Sequence, residues 1–172
     1  MSNPEQPLTP RDRLRLDAVI SDGVVALERS RHLGMGTLPE SMVESGMDWR
    51  HQLLEQLQPM GVLFRRNFQI RFAGEPAEDR WPGELLRGYT TALTRQILPY
   101  VQAESLEIVT QIHPKEWCLI WPQATVIPES LKPELAARPR DISARWALRV
   151  GESLGAVIRV NADGLTVRVP RF

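Results

Sequence analysis

The 172-residue chain has one cysteine, Cys118, no net charge, and lysine only at Lys115 and Lys132. A single cysteine excludes an internal disulfide and a cysteine-rich metal site. The neighbours Trp117, Leu119 and Ile120 mark Cys118 as a buried strand thiol rather than a reactive one. The balance of 21 basic against 21 acidic residues lacks the electrostatic footprint of a general nucleic-acid binder. No apolar run approaches the ~20 residues of a membrane span. Met1 to Pro10 is polar and proline-rich, without the apolar centre of a signal peptide, so a cytoplasmic, reducing setting is expected. Walker loop, Gly-x-Ser-x-Gly, Cys-x-x-Cys and zinc signatures are all absent, and no histidine pair has metal-ligand spacing. No catalytic, cofactor-binding or metal residue is therefore assigned.

What is present is an ordinary globular composition, 42% hydrophobic and 24% charged, long enough for one domain with a helical appendage. Residues 1 to 8 read as a loose tail. Thr9, Pro10 and Asp12 form a helix start, and Leu16, Val19, Ile20, Val24 and Leu27 follow at helical spacing to about His32. Residues 34 to 47 read as a connector. Asp48 opens a second helix with Trp49, Leu53, Leu54 and Leu57 inward, closed by Pro59 and Gly61. Phe64 to Phe72 alternates with period two, as a half-buried strand does. After a polar turn at 74–79, Pro82 opens a third helix whose stripe is Leu85, Leu86, Tyr89, Ala92, Leu93, Gln96 and Ile97. Two strands around His113-Pro114-Lys115 form a hairpin.

Residues 122 to 140 carry four prolines and read as a loop with a short helical turn near 131–136. Asp141 starts a fourth helix, Gly155 stops it, and two last strands flank the turn Asn161-Ala162-Asp163-Gly164. The predicted architecture is a two-layer α/β sandwich: a mixed or antiparallel sheet of about five strands with helices on one face, preceded by an N-terminal helix. The expected division is a tail and helix over 1–36 and an α/β domain over 48–172.

This order resembles the ATP-binding domain of bacterial histidine kinases, the GHKL or Bergerat fold, over about residues 48 to 172. The resemblance rests on Met47-Asp48-Trp49-Arg50 at the second helix, on the Trp81–Tyr100 helix, and on Val126-Ile127-Pro128-Glu129 where the family ends its aspartate-and-glycine box. The closing segment Trp146 to Phe172, with Arg168-Val169-Pro170, adds to it. By the same resemblance the family's magnesium-binding asparagine corresponds to Arg95 and its adenine-binding aspartate to Pro122. Its phosphate-loop glycines correspond to Ala124 and Val126, and a second glycine-rich stretch to Arg140-Asp141-Ile142-Ser143. These departures imply a degenerate domain that has lost nucleotide, and no cofactor is expected. The helix Arg11 to His32 resembles the second helix of the kinase dimerisation hairpin. Histidine phosphotransferases built on a degenerate ATPase-like domain are the nearest functional analogue.

The resulting expectation is a signalling adaptor that is not an enzyme, dimeric through Leu16, Val19, Ile20, Val24 and Leu27. Its partner is a protein, such as a response regulator or a secretion component, docking on Arg138, Arg140, Arg145 and Arg149. Two alternatives stand beside it: a structural subunit of a secretion or polysaccharide-export machine, and a phosphotransferase using His32. His51 and His113 read as surface residues, and Glu40 with Glu44 as a solvated acidic helix face. Trp117, Trp121 and Trp146 fit a core, whereas Trp49 and Trp81 read as partly exposed.

Overall fold

The computed structural model describes residues 7–40, 42–74, 80–132 and 141–171. The N-terminal residues 1–6, most of the turn at 74–79 and the helical turn expected at 131–136 from residue 133 onward lie outside the described residues, as do Arg138 and Arg140.

Helix α1 spans Pro10–Met35, with the Thr9 hydroxyl accepting the Asp12 N–H at its start and Gly36 in the left-handed conformation at its end. Strand β1 (Val43–Ser45) leads into α2 (Gly46–Phe64), followed by β2 (Asn67–Ala73), β3 (Arg80–Pro82) and α3 (Gly83–Ile97). The hairpin β4 (Ser105–His113) and β5 (Glu116–Trp121) precedes α4 (Ile142–Leu154), and β6 (Val157–Asn161) with β7 (Gly164–Pro170) closes the chain. No helix of the described residues is long and apolar enough to cross a membrane.

The main sheet has the order β2-β4-β5-β7-β6. β2 and β4 run parallel, because α3 carries the chain across between them, and every other neighbour is antiparallel. Helices α2, α3 and α4 cover one face of the sheet, and the core between the layers is built from Leu57, Leu86, Leu93, Leu106, Leu119 and Val167, among others. The sheet is therefore mixed and the sandwich two-layered, as the alternation of strands, hairpins and helices predicts. α1 lies on top of the helical layer, against α2 and α4.

Four local expectations are corrected. α2 does not close at Pro59, which sits inside the helix; it runs to Phe64, with Arg65 as a left-handed cap. Gly61 is required by a close approach instead, since a Cβ there would lie 2.7 Å from the Arg66 carbonyl as the chain turns back into β2. The strand starts at Asn67 rather than Phe64 for the same reason. Trp49 and Trp81 are fully buried and stack at 4.7 Å between ring centroids, with Phe72 edge-on to Trp81. Finally, Glu44 is not on a solvated helix face. It lies on β1, which pairs with β3 in a separate two-stranded sheet, and its carboxylate meets the Arg87 guanidinium with both side chains largely buried. Cys118 is buried on β5, and burial pushes its thiol pKa up, as expected of a structural cysteine.

Candidate functional site

The C-terminal half of α3 is where polar chemistry is concentrated. Thr90 and Thr94 donate back to the carbonyls of Leu86 and Thr90, each at 2.7 Å, which lets a polar helix face be buried at no hydrogen-bond cost. Thr94 Oγ1 also accepts the Trp121 indole N–H at 3.2 Å, tying α3 to β5. On the next turn Gln96 Nε2 donates to Asp141 Oδ2 and Gln96 Oε1 accepts from Ser130 Oγ, both at 2.7 Å. The other Asp141 oxygen caps α4 through the Ser143 N–H at 2.8 Å. A single glutamine thus joins α3, the short turn at Glu129–Leu131 and the N-terminus of α4.

α1 closes this cleft from above. Its Asp22 pairs with Arg95 of α3, whose guanidinium also lies 5.6 Å from the Phe64 ring centroid. Arg29 donates at 3.2 Å to Ser143 Oγ and at 3.2 Å to the Gly88 carbonyl. Arg29 is buried, and no carboxylate lies within ion-pair distance of it among the described residues. Burial, with the charge of Arg95 adding to it, lowers its pKa from the ordinary guanidinium range to about 10, and Asp22 and Asp141 pull the other way. A cation is thereby held beside a helix N-terminus, the end that favours anions. The space left between α1, α3 and α4 is about 200 Å³.

The sequence-predicted residues fall in different places. Leu16, Val19, Ile20, Val24 and Leu27 are all on α1 and between 48 and 72% exposed, on the side facing away from the domain. Leu16, Ile20, Gly23 and Leu27 follow one another at intervals of 4, 3 and 4, the spacing of a coiled-coil seam. Arg145 is exposed on α4, and Arg149, one turn on, lies 3.7 Å from Glu152. The structure does not bring them to the α1–α3 cleft. His32 is half-buried, its ring tilted against Trp146 at 5.8 Å and its Nδ1 3.3 Å from the Thr37 hydroxyl. His51 is exposed beside Glu55 and His113 is exposed at the β4–β5 turn, as expected. No cluster able to hold a metal is found among the described residues.

Arg95, placed by resemblance at the magnesium-binding position, is engaged by α1 instead. Ala124, at a phosphate-loop glycine position, is buried. Asp22 and Arg29 were not singled out by sequence. Their one signal is that both interrupt the apolar residues of α1 on the face opposite Leu16, Ile20 and Leu27.

No protein-family model matches the chain, and no curated protein matches it. Solved structures do. The histidine kinase AdeS of Acinetobacter baumannii aligns with a TM-score of 0.59 at 13% identity, over 88% of this chain and 78% of that one. The cytoplasmic segment of histidine kinase QseC aligns at 0.53 and 8% identity, over 99% of each chain. The catalytic domain of histidine kinase ThkA, in a nucleotide-free form, aligns at 0.52 and 10% identity, over 77% of this chain and 97% of that one. The fold is that of the histidine-kinase ATP-binding domain. This corrects the expectation that the chain is not an enzyme: the structures sharing its fold are histidine kinases, one of them represented by its catalytic domain alone.

Proposed function

We propose that this chain is a signal-transduction module on a histidine-kinase-like fold, working in the cytoplasm through protein–protein contacts, with a second copy of itself as its first partner. The carrying observation is the outward face of α1. A helix in a monomer turns its apolar stripe to its own core. Here the stripe Leu16, Val19, Ile20, Val24 and Leu27 faces solvent, while the inward side is attached by Asp22 and Arg29. Pairing two such stripes removes the exposed surface, and burying each Val or Leu contributes ~1.5–3 kcal/mol. In this reading residues 1–36 supply assembly and residues 48–172 supply the kinase-like domain. Arg145 and Arg149 on α4 offer a basic surface to an acidic partner of the response-regulator kind.

Light scattering tests the first contact. Wild type is expected at about twice 19.6 kDa, and Val24→Asp at the single-chain mass at micromolar concentration. A wild-type mass near 19.6 kDa would overturn the reading.

A further inference from the structure

Along the outward seam of α1, Leu16, Ile20 and Leu27 alternate with Gly23, and the same spacing continues to Arg13 at one end and Ser30 at the other. All six residues are exposed. We propose that two copies of α1 pair antiparallel, with Ile20 of each copy seated on Gly23 of the other. This rests on the reading of the outward face as a pairing surface, and it adds the direction and register of the pairing.

Gly23 carries the first part. It lies in the middle of a 26-residue helix, where glycine is less stable than alanine. Its backbone is not left-handed, and a Cβ there would meet nothing within 4 Å among the described residues. Neither backbone shape nor packing within the chain accounts for a glycine at this position. Close approach of a second copy does. In a parallel pair Gly23 would face Gly23 and leave a gap between the layers of Ile20 and Leu27. In an antiparallel pair Ile20 fills the space over Gly23, Leu16 packs on Leu27 and Arg13 faces Ser30, each twice by symmetry. A shift of one heptad in either direction spoils this match, because Ile20 then faces Ser30, or Leu27 faces Thr9.

Charge carries the second part. A parallel pair sets Arg13 against Arg13 in the seam and Asp12 across from Asp17 of the other copy. Like charges placed so oppose pairing. Antiparallel pairing moves the two Arg13 residues about 25 Å apart and puts Asp12 and Asp17 on opposite edges of the seam. It also gives the start of α1 a neighbour. Residues 10–17 are all exposed, and in this arrangement they lie along residues 26–33 of the second copy, the half of α1 that Arg29 fastens to the domain.

Two experiments on the full chain test the direction. Gly23→Leu adds a side chain that meets nothing in its own chain, so the domain keeps its fold. It is expected to weaken the dimer about tenfold or more, because Ile20 of the second copy already occupies that space. In a parallel pair the same change would fill the gap and tighten the dimer. In a Cys118→Ser background, a nitroxide at Arg11→Cys is then measured against its copy by pulsed electron resonance. Antiparallel pairing separates the two sites by about 30 Å along the helix axis, whereas parallel pairing leaves them side by side, at about the 10 Å spacing of packed helices. A dimer with the short distance, or one tightened by Gly23→Leu, would overturn the antiparallel arrangement and leave pairing intact. A wild-type chain that scatters as a monomer would overturn the pairing itself.

Discussion

Helix α3 buries 12 of its 15 residues, whereas α1, with 26 residues, buries Ala18 and Arg29. The two helices touch, yet they belong to different energetic regimes. α3 is fixed by apolar contact on nearly all sides, and its threonines satisfy themselves on their own helix. α1 is attached by an ion pair, two guanidinium hydrogen bonds and the apolar contacts of Ala18 and Leu33, and it turns the stripe from Leu16 to Leu27 away. Burial of apolar area is the main stabilising contribution to a domain. The cooperative stability of this chain thus resides around α3, and α1 belongs to the low-stability end from which moving elements are drawn.

The sharpest test of that contrast is a matched pair of truncations. Leu93→Ala on α3 opens a cavity in the core and is expected to cost about 2–5 kcal/mol. Leu27→Ala on α1, made together with Val24→Asp so that pairing does not contribute, is expected to change stability by about 0.5 kcal/mol or less. Urea midpoints of the two variants decide it, and equal losses would break the comparison.

High pH separates two buried side chains, Tyr89 on α3 and Arg29 on α1, by sign. Burial raises the Tyr89 phenol above its ordinary 10.0, so on α3 the folded chain keeps a proton that the unfolded chain releases. That contribution is intact below about pH 10 and lost as pH rises beyond it, at up to ~1.4 kcal/mol per pH unit. Arg29 on α1 acts oppositely. Its pKa is about 10 folded, below the ordinary guanidinium range, so above about pH 10 the unfolded state holds more protons and stability rises with pH. Denaturant midpoints from pH 8 to 11 should therefore fall less steeply for Tyr89→Phe than for wild type, and more steeply for Arg29→Met. A common profile for all three proteins would remove both assignments.

The sequence made the α3 regime legible and the α1 regime obscure. Leu85, Leu86, Tyr89, Ala92, Leu93, Gln96 and Ile97 could be read as one stripe because a helical period is local, and all of them are buried. The α4 boundaries were equally clear: Asp141 caps the helix and Gly155 adopts the left-handed stop. The β6–β7 hairpin follows from its turn residues. The β1–β3 pair was missed because three-residue strands far apart in the chain have no period to detect. Pro59 misled because a proline inside a helix is a rare tolerance rather than a rule. The candidate site was the least legible part. Asp22 with Arg95, Glu44 with Arg87, and Arg29 with Ser143 are contacts between distant segments, and nothing local marks either partner. The stripe on α1 was visible as a stripe, but only its position in the fold shows that it faces outward.

The smallest expected effect bears most directly on how α1 is held. Asp22 and Arg95 are each about a third exposed in their side chains, at 31 and 27%. Partly solvated pairs of this kind contribute roughly 0.2–1 kcal/mol, because water and salt screen them and two side chains lose freedom in forming them. After Asp22→Asn, Arg95 still has the Phe64 ring and water, so no uncompensated buried charge results. Asp22→Asn should therefore lower the global urea midpoint by no more than this amount, with a smaller difference at high salt, where the Debye length falls to a few ångströms. The local effect should be clearer. Amide hydrogen exchange in α1 should quicken, as the helix lifts from α3 more often, while the amides of α3 keep the protection set by global unfolding. Exchange that quickens equally in α1 and α3 would mean the two helices open together, and would put α1 in the same cooperative unit as the core.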